Sequence, residues 1–303
     1  MTDPMTDATS PTPAESSVPD PAPAPKLPMA AKYTYGILIL AFSFVLMPYL
    51  LWNATWFGKP LTDEQLTRAL NDHEHARNIQ HAFAQIEIRM EKGDPTVRQW
   101  YPQLVSLAHD PLAEIRLTDA WVMGQDPTSR DFRQALLGLL TDANPMVQRN
   151  AALSLVRFRD ATGRPQLLSM LRPYQLEAPA DGVVKIRLKP GDELNPGTMV
   201  GKIVAGKESR EVRCDVPGSL HNWAVSDGTH VAKGDVLLYI SPSPEMVWEA
   251  LRALFIVGAS EDGSSVAPYA RGIEGMPAQI QQQAALTLTA IRDRNPAPPP
   301  ASN

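Results

Sequence analysis

Apolar residues recur with helical spacing along most of the chain. Between residues 61 and 171 they fall at intervals of three and four, and short polar segments with Gly, Asp, Asn or Pro separate the runs. Apolar positions at this interval line one face of a helix, and such polar residues begin and end helices. The pattern predicts helices over Leu61–Met90, Val97–Leu107, Ala113–Met123, Phe132–Leu140, Met146–Phe158 and Pro165–Leu171.

A continuous apolar segment precedes these helices. No charged residue occurs from Tyr33 to Gly58, and Tyr or Trp residues stand near both ends of the segment. A helix that crosses the hydrocarbon core needs about 20 apolar residues, and Tyr and Trp are enriched at both interfaces. A cleaved signal peptide has a shorter apolar region, a basic start and a small-residue cleavage site. We therefore predict a single transmembrane helix over residues 33–57.

The charges beside this segment indicate its orientation. Lys26 and Lys32 precede it, whereas Lys59 follows it together with the acids Asp63 and Glu64. Basic residues favour the cytoplasmic side, so the C-terminal part is expected on the other side. This suggests a single-pass protein of a bacterial inner membrane with a periplasmic C-terminal part. The difference is one lysine, and the opposite orientation stays open.

The two ends of the chain have a different composition from the rest. Residues 1–32 and 294–303 consist largely of Pro, Ala, Ser and Thr, with few large apolar side chains. Such segments bury too little apolar surface to offset the entropy lost on ordering. We predict that both are disordered tails, and a polyproline motif for a partner is the less favoured interpretation of the C-terminal one.

The predicted helices contain an internal repeat. Ile115–Trp121 aligns with Val147–Leu153 at an offset of 32 residues, and Ile280–Leu286 matches the second copy again. Each copy begins with a branched apolar residue and contains small alanines, and a turn with proline precedes it. Repeats of this length are typical of stacked helix pairs, because one pair cannot bury its apolar face alone.

These residues resemble the HEAT repeat family of α-solenoids. The resemblance covers residues 62–172 and 244–293, and an irregular helical bundle is the alternative. It implies antiparallel helix pairs that stack and bind protein partners over a broad face.

The segment between the two helical parts has a different pattern. In residues 174–243, short runs of Val, Ile and Leu lie between Gly and Asp or Pro turns, as in β-strands. Gly182–Ile186 is echoed by Gly218–Asn222, and Gly197–Ile203 by Gly234–Ile240, the latter at an offset of 37. Two equal halves of short strands predict a flattened β-sandwich with a pseudo-twofold axis.

This duplicated segment resembles the biotinyl/lipoyl-like domain, also called the barrel-sandwich hybrid. In that family, a lysine on the hairpin between the halves carries biotin or lipoate, and the equivalent residue is Lys207. Its neighbours Gly206 and Glu208 differ from the methionines of biotin carriers and from the acid and alanine of lipoyl domains. We therefore expect no cofactor on Lys207, and modification remains the alternative.

Composition and motifs limit the chemistry of the chain. A net charge of −5 argues against nucleic-acid binding, which needs a basic surface. Cys214 is the only cysteine, so the chain has no internal disulfide or thiolate cluster. His73 and His75 are two residues apart and would face different sides of a helix, which argues against a shared metal ion. No nucleophile elbow, phosphate loop or dinucleotide motif occurs, and we expect no catalytic site.

These observations predict an α+β multidomain protein with one transmembrane helix, a HEAT-like α-solenoid and an inserted small all-β domain. The favoured function is a non-catalytic, membrane-anchored scaffold or accessory subunit that binds the bilayer and protein partners. The first alternative is a biotin or lipoate carrier that acts through Lys207 for a membrane enzyme complex. The second is a periplasmic adaptor of an export system. Membrane-fusion adaptors share the sandwich, but a long helical hairpin separates its halves.

Overall fold

The chain divides into two compact units, residues 1–59 and 60–303. The computed structural model describes residues 29–54 and 60–294. In the first unit, helix α1 spans Met29–Ala54 and thus begins four residues before the predicted membrane segment. Within the described residues, none of the helices combines the length and apolar content that a bilayer crossing requires. Residues 55–57 of the predicted span and most of both predicted tails lie outside the described residues, so these predictions stay untested.

The second unit contains two parts, one helical and one made of strands, as the α+β prediction requires. The described helices are α2 (Asp63–Leu70), α3 (Ala76–Glu91), α4 (Tyr101–Leu107), α5 (Ala113–Met123), α6 (Arg130–Leu139), α7 (Pro145–Arg157), α8 (Arg164–Ser169), α9 (Pro244–Val257), α10 (Gly263–Arg271) and α11 (Ala278–Arg294). A 3₁₀ turn over Pro95–Trp100 leads into α4.

The first predicted helical stretch is divided in two, with the polar turn at Asp72–His75 immediately before the second helix. The stretch Leu61–Met90 forms two helices, α2 and α3, with a polar turn from Asn71 to His75 between them. Five successive polar residues cannot extend an apolar helix face. Asp72 stabilises the turn that they form. Its carboxylate accepts hydrogen bonds from the side chains of His75 at 2.9 Å and Asn78 at 2.6 Å.

The helices pack as pairs, and the pairs stack. α2 contacts α3, α4 contacts α5, α6 contacts α7, α8 contacts α9, and α10 contacts α11. The second helices also contact one another in the order α3, α5, α7, α9, α11. All strands of the described residues lie between α8 and α9, so the β-domain interrupts the fourth pair. One apolar core nevertheless runs from Leu61 to Ile291 and joins the helices on both sides of the β-domain.

The turns that lead into the first helices of three pairs share one structure. In each turn, the aspartate Oδ1 accepts hydrogen bonds from the backbone N–H and the side-chain hydroxyl of a threonine two residues later. The distances are 2.6 to 3.0 Å. Such Asx turns satisfy backbone donors at helix starts. The residue pairs are Asp94 and Thr96, Asp126 and Thr128, and Asp160 and Thr162.

The β-domain consists of two four-stranded antiparallel sheets. Its strands are β1 (Tyr174–Glu177), β2 (Gly182–Ile186), β3 (Glu193–Leu194), β4 (Met199–Ala205), β5 (Glu208–Arg213), β6 (Gly218–Trp223), β7 (His230–Val231) and β8 (Val236–Pro242). Sheet 1 has the order β1-β8-β6-β3, and sheet 2 has the order β5-β4-β2-β7. Each strand of sheet 1 has its counterpart four strands away in sheet 2: β1 corresponds to β5, β8 to β4, β6 to β2 and β3 to β7. The two halves therefore have the same topology.

Backbone contacts repeat between the halves as well. Gly197 N–H donates to the Cys214 carbonyl at 2.8 Å, and Gly234 N–H donates to the Ala178 carbonyl at 2.9 Å. These residues are 36 or 37 positions apart in the two halves. A register shift also recurs, in the β1–β8 pair after Leu176 and in the β4–β5 pair beside Met199. The sequence duplication is thus accompanied by backbone hydrogen bonds at equivalent positions of the two halves.

Candidate interaction surface

Two large apolar side chains point outward from equivalent positions of the helical repeat. Trp121 on α5 is 46% exposed and Leu286 on α11 is 57% exposed. Both occupy the seventh position of the aligned copies, and Leu153 on α7, at the same position, is partly buried against the core. Single exposed apolar residues are ordinary, so recurrence at one repeat position is the informative observation. We name Trp121, Leu153 and Leu286 the apolar ridge.

The indole of Trp121 is oriented by a neighbouring helix. Its Nε1–H donates to the Glu87 Oε1 on α3 at 2.8 Å. The polar edge of the ring is therefore satisfied, while much of the apolar remainder faces solvent. Aromatic side chains held in this way are enriched among the residues that dominate binding energy in interfaces. Between α7 and α11 in the stack, α9 also exposes Phe255 and Ile256.

An ion pair joins two consecutive repeats. The Arg116 guanidinium donates from Nε and Nη2 to the two carboxylate oxygens of Asp142 at 2.7 and 2.8 Å. Both side chains are mostly buried, and Arg116 also donates to the backbone carbonyl of Asp110 at 2.7 Å. The hydrogen bonds from Arg116 hold the pKa of the Asp142 carboxyl below its usual value. The ion pair therefore joins α5, which carries Trp121, to the turn that precedes α7.

A buried carboxyl occupies an apolar position of the repeat. Asp119 on α5 is fully buried, and neither carboxyl oxygen has a hydrogen-bond partner among the described residues. The same position carries Ala151 in α7 and Ala284 in α11, both fully buried. Burial raises the pKa of Asp119 well above its ordinary value, with a smaller contribution from the charge of Asp110. Asp119 therefore favours the neutral, protonated form inside the fold.

Lys207 lies on the hairpin between the halves, where the sequence placed it. Ala205 pairs with Glu208, so Gly206 and Lys207 are the two residues of the turn between β4 and β5. Gly206 has a φ of 63°, which suits the first central position of a type II′ turn. A cavity of about 540 Å³ lies beside the hairpin and is lined in part by Asp181, Glu208 and Arg210. The absence of a cofactor on Lys207 stays a prediction.

The histidines considered for a metal site contact carboxylates instead. His73 Nδ1 is 3.1 Å from Asp110 Oδ2, and His75 Nδ1 is 2.9 Å from Asp72 Oδ1. The hydrogen bond with Asp72 raises the pKa of His75. Across the described ranges, no three ligand-type side chains are grouped as a metal ion would require. The buried thiol of Cys214 donates to the Asn195 carbonyl, and burial raises its pKa.

Arg149 marks the junction of the helices with the β-domain, and sequence reasoning missed it. Its guanidinium is buried on α7, 3.4 Å from the Met246 Sδ at the start of α9 and 5.8 Å from the ring centre of Tyr174 on β1. Burial lowers the pKa of Arg149 to about 10. Among the described residues it has no carboxylate partner within ion-pair distance. In the sequence, Arg149 resembles any cation on a helix surface.

Comparison with known proteins identifies part of the helical region. A family model of HEAT repeats matches residues 101–185. The search of curated proteins produced no match. The matched stretch begins with α4, and its last residues, 174–185, form β1 and part of β2. The predicted HEAT resemblance is confirmed for residues 101–172. HEAT repeats generally bind protein partners.

Proposed function

We propose that this chain is a non-catalytic, membrane-anchored scaffold or accessory subunit that binds a protein partner through the apolar ridge. The observation that carries the proposal is the exposure of Trp121 and Leu286 at one repeat position. Large apolar side chains at solvent-facing positions add nothing to the core of the chain. In protein–protein interfaces such side chains supply much of the binding energy. The match to HEAT repeats supports a partner that is a protein.

Cross-linking in cells that express the full chain tests the ridge. A photoreactive amino acid replaces Trp121 or Leu286, and a matched control replaces Gln134, which is exposed on the first-helix side of the stack. We expect the same adduct with another protein from both ridge positions and none from Gln134. If neither ridge position gives an adduct, or if Gln134 gives the same adduct, the ridge is not the binding surface.

The proposed anchor rests on the uncharged segment from Tyr33 to Gly58 and on the exposed apolar side chains of α1 from Ile37 to Leu50. Extraction of membranes with alkaline carbonate tests it. An integral protein stays with the membrane pellet, whereas release into the supernatant contradicts the anchor. A topology reporter at the C terminus then assigns the side, and a cytoplasmic C terminus rules out a periplasmic adaptor.

The carrier alternative is supported by one observation. Lys207 stands exposed on a two-residue turn that joins two topologically equivalent halves. A biotin or lipoate arm there would serve a membrane enzyme complex. The intact mass of the full chain purified from its natural source decides this alternative. An increment equal to biotin or lipoate that disappears in Lys207→Arg supports the carrier, and the unmodified mass excludes it.

A further inference from the structure

The outer face of sheet 2 carries a cluster of basic side chains. Alternation along the strands places Lys185 and Arg187 of the β2 segment on this face, together with Lys202 of β4 and Arg213 of β5. All four are exposed, whereas the alternate residues Val184, Ile203 and Val212 are buried in the domain core. We name Lys185, Arg187, Lys202 and Arg213 the basic face.

Two of these lysines lie directly opposite each other. Lys185 on β2 is the register partner of Lys202 on β4. Like charges at directly opposed positions destabilise a sheet, so packing alone does not favour this pair. Among the described residues, the side chains of Lys202 and Arg187 make no ion pair.

The acids nearby pair with two of the four bases and leave Arg187 and Lys202 without an ion-pair partner among the described residues. Glu211, the register partner of Lys202 on β5, is bound by Arg213 at 2.6 Å. Asp227 is 4.0 Å from Lys185 and accepts a hydrogen bond from the Ile186 N–H at 2.8 Å. Across the sheet the order of charges is thus acid, lysine, lysine, acid. Both central lysines are exposed, and Asp227 lies at the limit of ion-pair distance from Lys185.

The related sheet shows that the fold does not require these bases. At the offsets of 36 and 37 residues that relate the two halves, His221 corresponds to Lys185, Tyr239 to Lys202 and Glu177 to Arg213. A register shift after Leu220 makes Asn222 the partner of Tyr239, and neither residue is basic. Sheet 1 therefore has the same strand order without a basic outer face. The chain as a whole has a net charge of −5, which makes a local excess of bases more notable. The strand order therefore does not require the opposed lysines.

We infer that the basic face docks a partner protein that presents two carboxylates one helical turn apart. The Cβ atoms of directly opposed residues in a sheet are about 4.5 to 5.5 Å apart, and those of residues one helical turn apart have a similar spacing. A paired carboxylate would neutralise Lys185 and Lys202 together. A uniformly anionic lipid surface or nucleic acid would also meet Glu211 and Asp227, which would repel it. The inference rests on the proposed scaffold function and adds a second docking surface to it.

A peptide titration on the purified full chain tests the inference. The probe is a fluorescent alanine-based helical peptide with glutamates at positions i and i+4, and its control has glutamines there. We expect saturable binding of the glutamate peptide that weakens with salt, and at least tenfold weaker binding of the glutamine peptide. Lys185→Gln with Lys202→Gln should weaken glutamate-peptide binding at least tenfold without lowering Tm. Lys92→Gln with Lys233→Gln removes the same charge elsewhere and should leave binding unchanged.

Several results would overturn the inference. One is failure of the wild-type chain to bind the glutamate peptide at millimolar concentration and low salt. Another is equal weakening by both double variants, which would indicate only a general charge effect. The third is tighter binding of the chain to vesicles with one quarter phosphatidylglycerol than to the glutamate peptide, if that binding depends on Lys185 and Lys202. The occupant of the basic face would then be a lipid surface. The ridge cross-links do not depend on these lysines, so the two proposals fail separately.

Discussion

The helical region and the β-domain both arise by internal duplication, but different parts of the chain are repeated. In the helices, side chains recur at fixed positions, with branched apolar residues in the core and aspartates in the turns. In the β-domain, backbone hydrogen bonds recur together with glycines that allow close approach of strands. A helical repeat tolerates an unusual side chain such as that of Asp119, because the backbone of the helix stays in place. Where two strands approach closely, an added side chain must displace the backbone. We therefore expect substitutions in the β-domain to lower the free energy of unfolding more than substitutions in the helices do.

The largest effect is expected at a glycine of the β-domain. Gly218 has a φ of 157°, and a Cβ built there lies 2.1 Å from the Ser241 carbonyl oxygen. Because that atom belongs to the backbone, Gly218→Val must displace a strand. We expect a loss of roughly 4 kcal/mol in unfolding free energy, from overpacking and backbone strain together. Denaturant unfolding of the full chain measures the change.

A helical glycine provides the matched control. Gly138 lies in α6, and nothing stands within 4 Å of a Cβ built there. Gly138→Ala should raise stability by about 0.5 to 1 kcal/mol, because alanine loses less backbone entropy in a helix. Equal losses at Gly218 and Gly138 would contradict the distinction between the two regions.

The second effect concerns the contact between helix pairs. Arg116→Ala leaves the mostly buried carboxylate of Asp142 without its bidentate partner. Removing one member of such a pair costs about 3 kcal/mol or more, and we expect a loss of that size in chemical unfolding. Arg77→Ala, at an exposed position of α3, should change stability by less than about 0.5 kcal/mol. Similar losses in both variants would show that the ion pair does not join the repeats.

The third effect has the opposite sign. Alanine is the residue at the equivalent positions of α7 and α11. Asp119→Ala should therefore raise the free energy of unfolding at pH 7 by about 1 to 3 kcal/mol. The folded-state pKa of Asp119 lies above the unfolded value near 4. Its favourable contribution is therefore complete below pH 4 and is lost as pH rises toward the folded pKa, by about 1.4 kcal/mol per pH unit.

Unfolding of wild type and Asp119→Ala between pH 4 and 8 checks this sign. The stability advantage of the variant should grow as pH increases. A constant difference across this range would mean that Asp119 does not change its protonation between the folded and unfolded states.

The smallest effect is expected where the two regions meet. Arg149→Met replaces a buried guanidinium by an apolar side chain of similar length between Met146, Met246 and Tyr174. Buried charges can be replaced by apolar groups without loss, and we expect a change below about 1 kcal/mol. Arg149→Ala leaves a cavity and should lose about 2 kcal/mol. A large loss in Arg149→Met would show that the positive charge itself holds the β-domain.

The amino-acid pattern was sufficient for local structure. Apolar spacing located α5, α6 and α7 to within a few residues, since each buries one continuous stripe. It failed between α2 and α3, because apolar residues continue on both sides of the turn at Asn71–His75. The position of Lys207 on a hairpin followed from the resemblance to the biotinyl/lipoyl-like domain, and the turn between β4 and β5 agrees with it. The pairs of Asp and Thr in the turns also recur in the sequence.

Other features depend on residues that are distant in the chain and become neighbours only after folding. The buried state of Asp119, the apolar surroundings of Arg149 and the opposed pair Lys185 and Lys202 belong to this class. Periodicity records which face of an element is apolar, because burial acts on each residue according to its own chemistry. It does not record which faces meet, because many arrangements bury the same apolar stripes. Packing and strand register select one arrangement, and they determine which charges are buried and which remain exposed.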